Sequence, residues 1–251
     1  KKSGARVRVI NLISRTGSEL ATGADLIPEP VLAQARKHLD EVEREAVASG
    51  ITCDTEVIHT SLRLFQEIVN QAEKMNADLI VMGQGGIRGL ARVRLGQATA
   101  KVIGHANCSV LVVPLHAGSI GQRIALATDG SVYSDAATAM AGSLANILGA
   151  PVTAVSVTLP SQSTQRHQEA RAAANRAVAF LASYNIDAEA VVSPGRPDEV
   201  IIETAAAKKA DLIVVGSHGR TGLERTMLGS VSERVLDAAS TTVLVAKISK
   251  P

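Results

Sequence analysis

Aromatic side chains are nearly missing from this chain. It has no tryptophan, two tyrosines and two phenylalanines, 2% of 251 residues. Its 46% of hydrophobic residues must therefore build a core from Val, Ile, Leu and Ala, which suits parallel strands covered by alanine-rich helices. The same scarcity removes the platforms on which single-stranded nucleic acid stacks. Cysteine is almost as rare. Cys53 and Cys108 lie far apart and form no CxxC pair, which excludes a disulfide framework and points to a reducing compartment. Charge of one sign is not in excess: 26 Lys and Arg face 24 Asp and Glu, a net charge of +2. Without a block of like charge, neither nucleic acid nor a membrane surface is expected as a partner. No apolar run approaches the ~18 residues of a membrane span. The opening KKSGARVRV lacks the apolar centre of a signal peptide. A cytoplasmic protein is expected.

What the chain does have is a strand that runs into glycines. Leu212 to Val215 is a short apolar run, rich in β-branched residues, that reads as a buried parallel strand. Gly216, Gly219, Gly222 and Gly229 follow, and a helix is expected from about Ser230. Glycines permit positive φ and let backbone amides approach an anion. The helix start adds unpaired N–H groups and the positive end of its dipole. The spacing Gly216-x2-Gly219-x9-Gly229-Ser230 is neither the dinucleotide fingerprint nor the P-loop.

The same pattern occurs twice. Ala77-Asp78-Leu79-Ile80-Val81-Met82-Gly83 matches Ala210-Asp211-Leu212-Ile213-Val214-Val215-Gly216. Gly83, Gly86 and Gly96 repeat the later glycine spacing, and Ser109 to Val113 matches Thr242 to Val245. A tandem duplication follows, with domains at 1–114 and 122–251 joined by the linker Pro114 to Gly121.

In the first copy, a strand is expected over Val7 to Ile13, a loop over Ser14 to Glu29 and a helix over Pro30 to Ala48. A short strand at Thr55 to Ile58 precedes a helix over Leu62 to Met75, capped by Ser61. The second copy opens with Arg123 to Ser131, a strand ending in Asp129-Gly130. Helices are expected over Ser134 to Leu148, Glu169 to Ala182 and Asp198 to Lys208. Strands are expected over Val152 to Val157 and Ala188 to Val192, and Pro160 to His167 reads as a loop. The alternation makes an α/β protein with doubly wound parallel sheets. The first copy has no counterpart of Arg123 to Leu148, so its first strand and helix are absent. About 30 residues would supply such a unit, and a chain start earlier than Lys1 is the expected reason.

The spacing G-x2-G-x9-G-[S/T], set in VVGSHGRTGLERTMLGSVSERVL, resembles the ATP-binding signature of the universal stress protein family. That resemblance implies a five-stranded sheet of order 3-2-1-4-5 in each copy, of the adenine nucleotide alpha hydrolase-like type. Strands one and four are then neighbours at the topological switch point, where such sheets bind ligands. It further implies that Ala127, Thr128, Asp129 and Val157 line an adenine and ribose site. Val215, Gly216, His218, Gly219, Arg220, Gly229, Ser230, Val231 and Ser232 would surround the phosphates. Read without it, Asp129 is also an ordinary Asp-Gly turn residue, and Arg220 an ordinary solvated loop residue. His218 lacks partners at metal-ligand spacing, and no metal site or catalytic residue is expected. Ser134 and Asp135 read as helix caps. In the first copy Gln97 stands where the motif has Ser or Thr, while Arg88, Arg92 and Arg94 add positive charge. A site made from Gly83, Gly86, Gly96 and Gln97 is then either weaker or empty.

The implied function is that of an ATP- and Mg²⁺-binding stress-response regulator without fast catalysis. The alternatives are a slow ATPase or autophosphorylating protein, a flavin-binding or adenylating relative, and a nucleotide-independent scaffold. Single-copy relatives are understood to dimerise through the last strand. The two last strands, Ser109 to Val113 and Thr242 to Val245, are therefore expected to pair antiparallel as an intramolecular pseudo-dimer, with a further homodimer left open.

Overall fold

A computed structural model describes residues 4–14, 28–84, 96–159, 161, 163–220 and 228–248. Most of the expected loop 14–29 lies outside them, as do Gly86, Arg88, Arg92, Arg94 and Gly222. The chain packs as two compact units, residues 1–68 and 69–251.

The first unit is a β-α-β crossover. Strands β1 (Val7–Ser14) and β2 (Cys53–Thr60) pair in parallel, Val7 opposite Cys53 through to Ser14 opposite Thr60. Helix α1 (Glu29–Ala48) connects them and buries Ala35 and Leu39. Gly50, at φ +66°, ends the helix turn in the left-handed region where a side chain would be strained. Helix α2 (Leu64–Lys74) begins here. It is not capped by Ser61 as expected. The amide of Leu62 donates to Thr60 Oγ1, and that of Arg63 to Gln66 Oε1, so a longer acceptor three residues in serves the helix start.

The second unit is built on a seven-stranded sheet. In chain order its strands are β3 (Leu79–Gly83), β4 (Ser109–Val113), β5 (Ile124–Ala127), β6 (Val152–Thr158), β7 (Ala188–Pro194), β8 (Leu212–Gly216) and β9 (Thr242–Ala246). Their order across the sheet is β3-β4-β9-β8-β5-β6-β7. Its last five strands, β9-β8-β5-β6-β7, are the expected 3-2-1-4-5 arrangement of the second copy, all in parallel. The first copy, short of its first strand, contributes β3 and β4. Strands β4 and β9 pair antiparallel, with Leu111 opposite Leu244, so both are interior and saturated with ladder bonds. This is the edge-to-edge pairing expected from the repeat, and it covers two apolar edges that would otherwise invite aggregation.

Helices α3 (Gln97–His105), α4 (Val132–Leu148), α5 (Thr164–Ala182), α6 (Pro197–Ala207) and α7 (Ser230–Ala238) complete the unit. Small residues at helical spacing, Ala137, Ala141 and Ala145, let α4 lie close to the sheet, where they join Leu126, Val214 and Leu244 in one core. Helix α5 starts five residues before the expected Glu169. Ser163 caps it by accepting the Arg166 amide, so part of the expected 160–167 loop is helical. The linker is pinned at its end: the Asp211 carboxylate accepts the amides of Gly121 and Gln122 at 2.9 and 2.8 Å, just before β5.

Candidate functional site

Strands β5 and β8 are neighbours whose connections leave to opposite sides, so a crevice opens at their C-terminal ends. A cavity of about 300 Å³ lies there, at the small end of the range for ligand sites. From β5 and its turn come Ala127, Thr128 and Asp129. From the glycine loop come Gly216, His218, Gly219 and Arg220. From the start of α7 come Gly229, Ser230, Val231 and Ser232, and from β6 comes Val157. Of the residues expected in the second copy, Val215 alone is outside this lining. Side chains alternate along a strand, and Val215, next to Gly216, is buried in the core instead.

Gly216 and Gly229 stand where backbone approaches closely, and Gly219 where the Asp129 carboxylate does. Gly216, Gly219 and Gly229 are not among the residues of positive φ, so the conformational reason expected for them does not apply. A Cβ on Gly216 would sit 2.8 Å from the Tyr133 carbonyl oxygen, and one on Gly219 would sit 2.9 Å from Asp129 Oδ2. On Gly229 it would stand 3.1 Å from His218 Cα and 3.2 Å from the Ser217 carbonyl oxygen.

Asp129 makes the expected turn and also holds the glycine loop. Its Oδ1 accepts the Ser131 amide at 3.0 Å, which makes the turn; its Oδ2 accepts the Arg220 amide at 3.0 Å, which draws the glycine loop to the β5 turn. The cap of α4 is Ser131, whose hydroxyl accepts the Ser134 amide. Ser134 itself is buried. Its Oγ donates to the Ser131 carbonyl and accepts from the Gly130 amide and Thr128 Oγ1, which fixes the backbone beside Asp129.

On the opposite wall, Gly229 caps α7 without a side chain. The amides of Ser230, Val231 and Ser232 precede the first intrahelical donor, Glu233, which bonds Gly229 O. They form the free positive end of a helix facing the cavity. Ser230 is exposed. The hydrogen of Ser232 Oγ is committed to the Gly216 carbonyl at 2.7 Å, so this hydroxyl ties α7 to β8 and can only accept from a ligand. His218 is buried, its Nδ1 3.0 Å from Ser217 Oγ and its ring 4.9 Å from that of Tyr133. Among the described residues, no group of three His, Cys, Asp or Glu lies close enough to hold a metal ion.

Four lining residues escaped the sequence reading: Ser134, Val155, Pro197 and Ile201. Two had a usable signal. Val155 is two residues from Val157 on the same strand face, and Ile201 is four from Pro197 on the same helix face.

The first-copy counterparts stand differently. Gly96 caps α3 and its amide reaches the Gln84 carbonyl at 3.3 Å, where Gly229 makes a 2.8 Å bond to Ser217. A Cβ on Gly96 would meet only ordinary contacts, at 3.6 and 3.7 Å. Gln97 begins α3 and makes no side-chain cap. Gly83 is exposed, whereas Gly216 is buried.

The fold and the cleft at its switch point define a doubly wound α/β protein with a ligand-sized crevice. Comparison with known proteins narrows this. The chain matches the Universal stress protein family over residues 1–114 and again over 121–247, and it belongs to that family. It is 33% identical over 212 residues to a universal stress protein of Mycobacterium tuberculosis, covering 77% of this chain and 68% of that one. A relative from Mycolicibacterium smegmatis is 29% identical over 230 residues, 84% of this chain and 76% of its own. The crystal structure of a universal stress protein from Archaeoglobus fulgidus shares the fold, with a TM-score of 0.76 at 22% identity over 98% of this chain and 87% of that one. Among the described residues no helix is long and apolar enough to cross a membrane.

Proposed function

We propose that the protein is an adenine-nucleotide-binding regulator which holds ATP with Mg²⁺ in its second copy and does not turn it over quickly. The observation that carries this reading is the convergence, on one cavity, of the β5 turn at Asp129, the close-packed glycines and the free amides of α7. The cavity is divided in a way that suits such a ligand. Ala127, Val155, Val157 and Ile201 make an apolar wall fit for a flat base. The α7 amides and Arg220 make an electropositive wall fit for phosphates. Asp129 is the single carboxylate among the described lining residues. Mg²⁺ commonly binds through nucleotide phosphates and water with one or two carboxylates, so this lining is compatible with it. In this reading the triphosphate supplies the charge, and the protein supplies orientation and exclusion of water. The two free thiols fit a reducing compartment such as the cytoplasm.

The test is to denature the purified protein, weigh the small molecules released, and titrate ATP and Mg²⁺ into stripped protein by calorimetry. An adenine nucleotide released or bound at one site per chain is the expected result. No released nucleotide together with no heat of binding overturns the reading, and fast multiple-turnover hydrolysis overturns its non-catalytic part.

A further inference from the structure

Resting on that reading, we propose that Glu169 tempers the site's affinity for phosphate-bearing ligands. It is an internal carboxylate that holds Arg220 until a polyphosphate takes the guanidinium over.

Arg220 is held at three points. Its amide donates to Asp129 Oδ2 at 3.0 Å, its Nε to the Asp129 carbonyl oxygen at 2.6 Å, and its Nη1 to Glu169 Oε2 at 2.8 Å. The first two anchor the residue to the cavity wall. The third takes part of the guanidinium away from the cavity to a carboxylate that is not in its lining. Glu169 lies on α5, and the hydrogen bond from Arg220, helped by the charge of Arg166, holds its carboxyl below the usual glutamate range.

Glu169 has reserve partners. Arg166 Nη1 donates to the same Oε2 at 3.1 Å, and Gln165 Nε2 to Oε1 at 3.2 Å. Releasing Arg220 therefore does not leave the carboxylate unpaired. The pair is also about one-third exposed on both sides, so water screens it and the exchange is inexpensive. A phosphate offers the guanidinium two oxygens in the geometry of its fork. Adenosine offers none, and cannot compete with Glu169. The bond therefore lowers affinity for phosphate-bearing ligands and leaves uncharged ones unaffected.

The experiment measures the affinities of ATP and adenosine for the full chain, for Glu169→Gln and for Arg220→Gln by calorimetry at one low ionic strength. Glu169→Gln keeps the shape and an acceptor but removes the competing charge. It should tighten ATP about two- to fivefold and leave adenosine unchanged. Arg220→Gln should weaken ATP, and adding Glu169→Gln to it should restore nothing. ATP affinity unchanged or weaker in Glu169→Gln overturns the proposal, because Glu169 would then be orienting Arg220 for the ligand. Equal tightening of adenosine also overturns it, by showing a charge-independent effect. If the wild-type chain binds neither ligand, the nucleotide reading falls and this inference with it. If it binds ATP and only the variant result fails, the nucleotide reading stands.

Discussion

Strands β3 and β8 carry nearly the same residues in different surroundings. In β8, all of Leu212 to Gly216 is buried. In β3, Ile80 is buried, but Leu79 is 36% and Val81 61% exposed. The difference is the neighbours. β8 lies between β5 and β9 and is covered by α4, whereas β3 ends the sheet with β4 as its one partner. At fully buried aliphatic positions the gain is about 1.5–3 kcal/mol each, and β3 realises only part of it. The entrance to each strand differs as well. Asp211 secures two amides of the segment leading into β5, while its counterpart Asp78 lines an open cavity of about 390 Å³. A repeated word in the sequence thus guarantees a repeated strand but not a repeated environment. The environment comes from the strands and helices packed beside each strand.

The contrast can be broken first at the seam the copies share. Leu244→Pro removes a fully buried side chain and a ladder donor from an interior strand. It should destabilise the second unit by roughly 3–6 kcal/mol, read as a shift in the urea midpoint. Leu111→Pro should do nearly as much, since β4 is equally interior. Retained protection of the β4 and β9 amides in hydrogen exchange would contradict this.

The second test separates the glycine loops. Gly219→Val drives a side chain against Asp129 and should weaken nucleotide binding at least a hundredfold, about 2.7 kcal/mol. Gly96→Ala, which meets ordinary contacts only, should change neither binding nor the melting temperature measurably. Calorimetry on both variants checks this, and two equally tight sites per chain would refute the asymmetry.

A smaller difference lies in the helices before β3 and β8. Asp198 on α6 is buried and accepts from Arg196 Nη2 at 2.9 Å and from Arg234 Nε at 3.1 Å, which braces α7. Phe65 occupies the matching place on α2. Asp198→Ala should cost about 1–3 kcal/mol, visible in thermal unfolding, whereas Phe65→Asp should create no such brace.

The smallest concerns pH. Glu189 is held below the usual glutamate range chiefly by the hydrogen bond from Lys208, with Thr153 also donating. A folded value below the unfolded one means that the carboxylate form is stabilised by folding. That contribution is fully present above the unfolded pKa and is lost as pH falls through the folded one. Glu189→Gln should therefore lower stability slightly at neutral pH, flatten the acid limb of the stability curve and leave the lowest pH nearly unchanged. Glu56, its first-copy counterpart, pairs with Arg8 instead.

Much of this was legible in the residues. Alternation of apolar runs with helical stripes located the strands and helices, and the glycine spacing located the cleft. Caps were harder, because Ser61, Ser131 and Ser163 look alike and only geometry decides which hydroxyl meets an amide. The reason for the glycines was also hidden. Positive φ is a local property that sequence suggests, whereas the approach of Gly216 to Tyr133 depends on how α4 packs. The link between Glu169 and Arg220 joins residues 51 apart in the chain and has no periodicity to announce it. The division of the first copy's strands, β1 and β2 in one unit and β3 and β4 in the other, was not announced by the repeat, which groups all four in one copy.

The antiparallel seam between β4 and β9 has an evolutionary consequence. When two identical chains meet at such a seam, every substitution appears on both sides at once, and concentration governs whether they meet. Joining the partners through Pro114 to Gly121 replaces dilution with a fixed local concentration. It also gives each side its own genetic position. Leu111 can change without Leu244, and Gln97 can replace a hydroxyl while Ser230 keeps one. A fused pair is free to specialise, each half on its own.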